Sequence, residues 1–585
     1  MYVVATAGHV DHGKSTLVQA LTGRDPDRWA EEKDRGLTID LGFVWVDLPG
    51  GKNVAFVDVP GHEKFLGNML AGIGPVPVVM FVVAADQGWQ QQSTDHLDAL
   101  HALGITHGLV ALTRADKATP EQINEVTADI QTRLAQTGLA GAPIVPVSAI
   151  AGTGMEDLKN VLDQVLTRSP QPDPEAPVRM WLDRSFVIKG AGTVVTGTLA
   201  AGTIAEGQTL QLAGKRISRT ITVRGLQSEE VAEGRIGPIN RVAVNIRGVD
   251  ADVVHRGDQL LTPGAWWLTD SIDVRRLTGQ GLSDIPREVA AHIGTVEVNA
   301  SVRKLDDDHV RLTLPRKMAL TRHGRLVLRA PGDHAVFAGV EILDVDPEPL
   351  QGRGSSARHA EFLRGLTART KLGQRRVMRV ADARAQGWDL AGLSTVGAWV
   401  VADDAVDTWA TQLKSAVAQS DPLHPGITRG AALSALGLPA EELLDVVIEK
   451  TGLSESEGRV VDAAHKVDLG AAEEGIATIE EWLDSEPFRA PEADEIRDLK
   501  LNPKQLAAAE KAGRIIRLGA DRDIILLPSA PRLAATTLAG LEQPFSVSQA
   551  RKALDTSRRI AIPLLEYMDE HKLTRRGDGG QRTVL

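Results

Sequence analysis

Residues 8–15, with the sequence GHVDHGKS, have the spacing G-x-x-x-x-G-K-[ST] of loops that bind phosphate groups. Backbone N–H groups from residues 11–15 would surround the phosphates, and Lys14 would reach the terminal ones. The Ser15 hydroxyl is suited to ligate Mg²⁺, as in nucleotide hydrolases. The predicted nucleotide-binding residues of this loop are Asp11, His12, Gly13, Lys14, Ser15 and Thr16.

A second group of candidate residues follows the apolar run VAFV at 54–57. Asp58 would end a strand beside the phosphate loop, where its carboxylate can serve the magnesium ion. Gly61 has no side chain, so its backbone N–H can approach a γ-phosphate closely. His62 comes next and could orient an attacking water molecule. These residues predict nucleotide hydrolysis with His62 as the catalytic residue.

The choice of base is predicted from two later strand ends. An apolar run at 109–112 is followed, after three residues, by Asp116. Guanine presents two parallel N–H donors that a carboxylate accepts as a pair, and adenine does not. The run PIVPVSAI then brings Ser148 and Ala149, whose backbone N–H suits guanine O6. The order of these segments predicts that GTP and Mg²⁺ are the cofactors.

A phosphate-binding loop needs a strand before it and a helix after it, and the later candidate residues need to lie at strand ends. The runs VVATAG and KSTLVQALTG have the strand and helix character that this arrangement requires. The chain has 585 residues, 43% of them hydrophobic and 24% charged, which predicts several folded domains. It has no cysteine, which excludes disulfides and thiolate metal sites. A net charge of −12 argues against indiscriminate coating of nucleic acid.

The hydrophobic pattern predicts a multidomain chain that starts with an α/β P-loop GTPase domain at 1–170. The proline-rich stretch SPQPDPEAPVR at 169–179 ends that domain. Many short β-runs with glycine turns follow, such as KGAGTVVTGTL at 189–199. They predict two β-barrels, domain II at 175–262 and domain III at 265–345.

The strand pattern stops near 344–359, and helices then alternate with short hairpins. A helix pair followed by a small hairpin is typical of winged-helix domains. The remaining length predicts four tandem winged-helix (α+β) domains. Domains 1 and 2 are placed at 355–475, and domains 3 and 4 at 476–585.

The nucleotide segments resemble the consecutive motifs of translational GTPases of the elongation factor Tu type. EEKDRGLTIDLGF at 31–43 resembles their first switch, which implies that Thr38 ligates Mg²⁺ in the GTP state. The same resemblance implies that Val10 and Leu37 flank the catalytic histidine, His62.

One motif departs from that family's pattern. The usual Asn-Lys-x-Asp is TRAD at 113–116, so Thr113 and Arg114 stand where Asn would contact guanine N7 and Lys would pack on the base. Asp116 keeps the position that selects guanine. SAI at 148–150 resembles the last nucleotide motif, which adds Ile150 to the expected site.

The whole layout resembles bacterial selenocysteine-specific elongation factors. The stretches DRSFVIKGAGTVVTGT, NRVAVNIRG and SRRIAIPLLEYMDEHKLTRR carry this resemblance. It implies a GTPase, stimulated by the ribosome, that delivers selenocysteinyl-tRNA at UGA codons. It also implies that the C-terminal winged helices bind an mRNA hairpin, and that the protein is a cytoplasmic monomer with no membrane partner.

The resemblance implies a selenocysteine pocket on the first barrel, formed by Asp183, Arg184 and Arg241. A selenol is more acidic than a thiol, so at neutral pH the amino acid is largely an anion. Cationic side chains would therefore favour it over neutral serine on the same tRNA.

The segment 557–576 predicts an amphipathic helix with Ser557 as its cap and two arginines in its first turn. The apolar residues expected to face inward are Ile560, Leu564, Leu565 and Met568. Arginine is unfavourable at that end of the helix dipole, so an RNA phosphate is expected there. The predicted mRNA-binding residues are Arg558, Arg559, Arg575 and Arg576.

Two other functions remain open from the sequence. A general aminoacyl-tRNA-delivering GTPase would share the first three domains, but it would leave the C-terminal region unexplained. A winged-helix nucleic-acid-binding regulator with a GTPase sensor would use the C-terminal region for DNA. The two barrels of translation-factor type weigh against that regulator.

Overall fold

The computed structural model of the protein describes residues 2–26, 38, 41–62, 66–73, 78–332, 335–420, 426–456, 458–462 and 469–585. The chain forms two compact units, Met1–Leu393 and Ser394–Leu585. No helix within these described ranges is long and apolar enough to cross a membrane.

The first unit begins with an α/β domain. Its strands are β1 (Tyr2–Ala7), β2 (Gly42–Asp47), β3 (Asn53–Asp58), β4 (Val78–Ala84), β5 (His107–Thr113) and β6 (Ile144–Pro146). Its helices are α1 (Lys14–Thr22), α2 (Leu66–Ile73), α3 (Gln91–Leu103), α4 (Pro120–Leu134) and α5 (Met155–Arg168). The sheet order is β2-β3-β1-β4-β5-β6, and only β2 runs antiparallel to its neighbour.

The parallel strands of this sheet place the predicted nucleotide residues together. Every residue of β4 is buried, as expected for a central strand with hydrophobic clusters on both faces of the sheet. The phosphate loop follows β1, Asp58 ends β3 and Thr113 ends β5. Because parallel strands end at one edge, these three segments meet there.

The second domain of this unit is a closed barrel. Its strands are β7 (Arg179–Ile188), β8 (Gly192–Ala201), β9 (Ile204–Ala205), β10 (Thr209–Ala213), β11 (Ser218–Ser228), β12 (Val231–Glu233), β13 (Arg235–Ile236), β14 (Asn240–Ile246) and β15 (Gln259–Leu261). Six strands in the order β10-β15-β7-β8-β14-β11 close where β11 pairs with β10. Alternate residues of β14 point inward, namely Val242, Val244 and Ile246.

The third domain is a second closed barrel. Its strands are β16 (Leu268–Gly279), β17 (Glu288–Ile293), β18 (Val296–Lys304), β19 (His309–Ala319), β20 (Arg325–Arg329) and β21 (Ala338–Asp344). The order is β16-β19-β18-β17-β20-β21, closed by pairing of β21 with β16. The two barrels are joined by Gln259, whose side chain accepts from Ala319 N (2.8 Å) and donates to Ala319 O (3.2 Å). The structure confirms the two predicted barrels.

The first unit ends with α6 (Ser355–Arg364), α7 (Ala368–Arg375), β22 (Val377–Arg379) and α8 (Val380–Gln386). Lys371 on α7 is fully buried, and its Nζ lies 2.5 Å from Asp344 Oδ2 at the end of β21. Because a buried ammonium needs a paired anion, this contact anchors α7 on the second barrel.

The second unit consists of helices and short hairpins. Its helices are α9 (Ala405–Ala418), α10 (Arg429–Leu436), α11 (Glu441–Thr451), α12 (Glu473–Ser485), α13 (Ala493–Asp498), α14 (Pro503–Lys511), α15 (Ala530–Ala539), α16 (Val547–Ala553) and α17 (Arg558–Glu570). Its strands are β23 (Ser394–Val396), β24 (Trp399–Val401), β25 (Ile427–Thr428), β26 (Ser454–Ser456), β27 (Arg459–Val461), β28 (Ile516–Leu518), β29 (Ile524–Leu526), β30 (Thr574–Arg576) and β31 (Arg582–Val584).

Three helices followed by a hairpin occur three times in this unit, which is the winged-helix order. The hairpins of the three sets are β26–β27, β28–β29 and β30–β31. Along the chain, α6, α7 and α8 are likewise followed by the hairpin β23–β24. The last two sets share one hydrophobic cluster that extends from Leu469 to Met568. The predicted fold class is confirmed, whereas the domain limits stay predictions.

Candidate functional site

The phosphate loop has the predicted strand–loop–helix geometry. Gly8 has φ +128°, and a Cβ there would lie 2.1 Å from Val82 O, so only glycine fits between β1 and β4. Gly13 has φ +84° and leads into α1. Lys14 is buried, and its Nζ donates to Gly8 O (3.1 Å) and His9 O (2.9 Å). The ammonium group therefore lies inside the curve of the loop.

The three predicted metal-site residues lie in direct contact. Asp58 is fully buried, and its Oδ2 accepts from Ser15 Oγ at 2.7 Å. Ser15 Oγ is in turn 3.0 Å from Thr38 Oγ1. Thr6, which the sequence analysis did not single out, donates to Asp58 Oδ1 at 2.7 Å and so orients the carboxylate. Two hydroxyls and a carboxylate are oxygen donors of the kind that Mg²⁺ prefers.

Gly61 lies against the phosphate loop. A Cβ at this position would be 2.4 Å from Lys14 Nζ and 2.7 Å from Val10 N, so a larger residue would collide with the loop. His62 follows and is half-buried. The pKa of His9 is lowered, mainly by burial and then by the charge of Lys14. His62 is close enough to His9 to add to this lowering. The predicted partner Leu37 lies outside the described residues.

The unusual Thr113-Arg114 pair binds the phosphate loop. Thr113 Oγ1 donates to His12 O at 2.6 Å, and this contact is buried. The Arg114 guanidinium donates to Asp11 O and also lies 3.6 Å from the Asp86 carboxylate. Both side chains thus hold the loop from the β5 edge. Their contacts with the base stay predictions.

The two predicted guanine motifs adjoin each other. Ala115 N donates to Val147 O at 3.1 Å, which joins the turn that carries Asp116 to the end of β6. Asp116 is exposed at this edge, as a base-binding carboxylate must be. Ser148 N donates a hydrogen bond to Thr153 O (2.9 Å) within the same loop. Its Oγ accepts from the backbone of the same turn (Ala151 N, 3.1 Å), with the exposed Ile150 between them. Ser148 N is therefore engaged within its own turn, and a contact of Ala149 N with guanine O6 stays a prediction.

Two residues of α3 that the sequence analysis missed hold the phosphate loop from the opposite side. His96 Nδ1 accepts from Gly8 N at 3.0 Å, and Gln92 Oε1 accepts from Val10 N at 3.0 Å. Burial, helped by the charges of Lys14 and His9, lowers the pKa of His96 to about 3, so the ring is neutral and can accept. Single polar residues within an amphipathic helix give no sequence signal for this contact.

The predicted selenocysteine pocket residues meet on the first barrel. Arg241 binds both carboxylate oxygens of Asp183, one of them at 2.8 Å, and Thr196 Oγ1 also donates to Asp183 at 2.8 Å. Arg184 Nη2 donates to Leu41 O at 3.0 Å. Both guanidinium groups lie over the Phe43 ring, at 3.9 Å for Arg241 and 5.5 Å for Arg184. The cluster therefore lies between the barrel and the GTPase sheet.

The predicted mRNA-binding residues occupy two places in the last winged helix. Arg558 begins α17, and Arg575 and Arg576 lie on β30; all three are exposed. Arg559 differs, because it pairs with two carboxylates of the preceding winged helix. Its partners are Glu492 (2.7 Å) and Asp523 (3.2 Å). The dipole conflict at Arg559 is thus relieved within the protein.

Other parts of the α17 prediction have mixed outcomes. The four predicted inward residues, Ile560, Leu564, Leu565 and Met568, are buried. Ser557 occupies the predicted N-cap position of α17. The predicted capping contact is wrong, because the Ser557 side chain makes no capping hydrogen bond. Its backbone carbonyl accepts from Ala561 N at 2.9 Å, which is the first helical hydrogen bond.

A GTPase-type sheet followed by two closed barrels is the architecture of translational GTPases of the elongation factor Tu type. The family model "Elongation factor Tu GTP binding domain" matches residues 1–168, and "Elongation factor SelB, winged helix" matches residues 536–583. The selenocysteine-specific elongation factor of Escherichia coli (strain K12) is 31% identical over 98% of this chain and 97% of its own length. That of Desulfomicrobium baculatum is 30% identical over 99% of each chain. This chain belongs to the family of selenocysteine-specific elongation factors.

Solved structures give the same result. The crystal structure of a bacterial selenocysteine-specific elongation factor, EF-Sec, superimposes with a TM-score of 0.75 at 27% identity, covering 100% of this chain and 99% of that one. Elongation factor SelB from Methanococcus maripaludis, in complex with the GTP analogue GPPNHP, gives a TM-score of 0.52 at 25% identity. That match covers 59% of this chain and 79% of the other. The family predicted from the sequence is confirmed.

Proposed function

We propose that this protein uses GTP to deliver selenocysteinyl-tRNA to the ribosome at UGA codons. The full-length likeness to proteins named selenocysteine-specific elongation factors carries this proposal. In this proposal an mRNA hairpin, bound by the C-terminal winged helices, directs delivery, and the protein acts as a cytoplasmic monomer. A general aminoacyl-tRNA carrier is disfavoured because it would leave the second unit without a use.

The nucleotide part of the proposal rests on the contacts of the phosphate loop. Lys14 and the loop N–H groups would bind the β- and γ-phosphates, and Ser15 and Thr38 would ligate Mg²⁺ with Asp58 behind them. The ion, when bound, offsets negative charge on the phosphates. Because Gly61 has no side chain, its backbone can lie beside Lys14, where the γ-phosphate would bind. Asp116 and the Ala149 N–H would then select guanine at the outer edge.

His62 is proposed to orient the attacking water. Its half-buried position directly after Gly61 supports this role, because Gly61 itself lies against Lys14. Positioning a water molecule lowers the barrier without adding to nucleotide affinity.

The amino acid is proposed to bind beside Arg184 and Arg241. The guanidinium groups of Arg184 and Arg241 lie over the same Phe43 ring, so their positive charge could attract a selenolate. Neutral serine would gain nothing from this charge, which gives a basis for discrimination. Arg184 also donates to Leu41 O, within the segment 31–43 that resembles the first switch, so a change of that segment with the bound nucleotide would act on the pocket.

The proposed hairpin site lies on the exposed arginines of the last winged helix. Arg558 starts α17 and Arg575 lies in the middle of β30, and both are exposed, so both could bind RNA phosphates. Arg559 would have to break its ion pairs with Glu492 and Asp523 before it could bind a phosphate. Its net contribution to hairpin affinity is therefore expected to be smaller than that of Arg558.

Filter binding with four labelled nucleic acids tests the function. Selenocysteinyl-tRNA, seryl-tRNA, the mRNA hairpin and a promoter-like duplex DNA would be compared at one salt concentration. We expect tight binding of the first and third only. Equal binding of the two tRNAs would favour a general carrier, and tight binding of the duplex alone would favour a regulator.

A variant test addresses the pocket within the same assay. Arg241→Ala should lower the preference for selenocysteinyl- over seryl-tRNA. Arg219→Ala, at an exposed position of the same barrel, serves as the control. A preference that stays at the wild-type ratio in Arg241→Ala would contradict the pocket assignment.

A further inference from the structure

A cavity lies where the end of α3 meets the two barrels. It has a volume of about 330 Å³, which is within the range of small-molecule sites. The GTPase-type domain and both barrels supply its walls: Leu103 from α3, Arg179 and Trp181 from the first barrel, and Arg325 from the second. None of the residues assigned to nucleotide, tRNA or mRNA binding lines it.

Arg179 is a cation without an anionic partner among the described residues. Its Nε is buried and meets no hydrogen-bond acceptor in the described part of the chain. The guanidinium carbon lies 4.8 Å from the centre of the Trp266 ring, within the range of a cation–π contact. Burial lowers the pKa of Arg179, and no neighbouring carboxylate counteracts this. Burying part of a guanidinium group without an anionic partner costs folding free energy, and a bound anion would offset this cost.

Arg325 supplies a second cation to the lining of the cavity. Its guanidinium lies flat over Gly104 at the carboxyl end of α3, since a Cβ at Gly104 would be 2.0 Å from Nη1. Within the described ranges no carboxylate lies within 4.0 Å of it. His323 also lines the cavity, and its Nδ1 is 2.7 Å from Glu341. Glu341 is already bound by Arg275 at 2.7 Å, so this acid does not neutralise the cavity.

The remaining walls are apolar. Trp181 lies under the turn between β17 and β18, where a Cβ at Gly294 would be 2.3 Å from its ring. Ile293 and Leu326 complete this side, and no aspartate or glutamate among the described residues lines the cavity. A positive end beside an apolar wall suits a small organic molecule that carries one strongly anionic group.

We propose that this cavity binds a small phosphorylated compound, with its phosphate between Arg179 and Arg325 and its apolar part on Trp181. Guanidinium groups bind phosphate through paired charge-assisted hydrogen bonds, which explains the two arginines. Because the GTPase-type domain and both barrels form the walls, the ligand would stabilise the docked arrangement of these three domains.

Isothermal titration of the full-length protein tests this site. The protein is first saturated with GDP, so that the phosphate loop is filled and cannot bind the probe. Inorganic phosphate and AMP are the two probes, and they distinguish a free-ion site from a site for an organic phosphate. We expect saturable binding of at least one probe with a stoichiometry of one.

Matched variants locate the binding. Arg179→Gln and Arg325→Gln should each lower the affinity for the probe about tenfold or more. Arg287 is exposed on the same barrel as Arg325, and Arg287→Gln should leave the affinity unchanged. Arg325 is itself exposed, so its variant decides the outcome even if Arg179→Gln fails to fold. No binding up to millimolar probe, or equal affinity in Arg325→Gln and Arg287→Gln, would overturn the proposal.

Discussion

Replacing His96 by leucine should weaken GTP and GDP binding together. The ring accepts from Gly8 N at 3.0 Å, and His96 is only 1% exposed, so no water can take its place. A buried backbone N–H that loses its acceptor costs about 1–3 kcal/mol. The phosphate loop must be ordered to bind either nucleotide, so this cost should appear as an affinity loss of roughly 5- to 150-fold.

The assay is equilibrium titration with fluorescent GTP and GDP analogues. Asparagine can place its Oδ1 close to the position of the imidazole Nδ1, so His96→Asn should restore most of the affinity. His101→Leu, on the same helix and away from the loop, is the matched control. The reasoning fails if His96→Leu binds like His101→Leu, or if only GTP affinity falls, because the contact does not involve the γ-phosphate.

The remaining predictions concern hydrolysis, base choice, acid stability and RNA binding. His62→Ala should bind GTP normally but lose about 10²–10⁴-fold in ribosome-stimulated hydrolysis, measured by phosphate release. Asp116→Asn should shift competitive binding from GTP toward XTP, because the residue then donates to the base instead of accepting. Below pH 6.5 the first unit should lose stability, since burial lowers the pKa of His12 and of His96 to about 3 and the unfolded chain binds the protons. Each of these two histidines should lower the free energy of unfolding by about 1.4 kcal/mol for every pH unit between 6.5 and 3. A thermal denaturation midpoint that does not change with pH would contradict this prediction. Arg558→Ala should weaken the hairpin by about 1–3 kcal/mol and reduce its salt slope by about one, whereas a uniform loss for all RNAs would point to general charge.

The meeting of the predicted nucleotide segments at one sheet edge was predictable because each segment is local. The phosphate loop and the ends of β3 and β5 are each a short run of fixed spacing, and parallel strands bring such ends together. Thr6 and His96 were not predictable, because their contacts join residues 52 and 88 positions apart. Neither residue differs from an ordinary polar position in the sequence.

The second unit shows the same limit. The alternation of helices and hairpins was sufficient to predict winged helices, and the amphipathic pattern of α17 placed its buried face correctly. The role of Arg559 was not accessible, because its partners lie 67 and 36 residues away. A basic pair at a helix start has the same appearance whether its partner is RNA or another domain.

The hydrophobic cluster shared by the last two winged helices determines how this protein can be divided. Thr556 Oγ1 donates to Phe488 O at 2.6 Å across the same boundary, so the two modules are held together by polar contacts as well. A cut at residue 480 would pass through α12 and expose Ile476 and Leu483. A soluble RNA-binding fragment must therefore start before Leu469, and the last winged helix should unfold or aggregate when it is expressed without its neighbour.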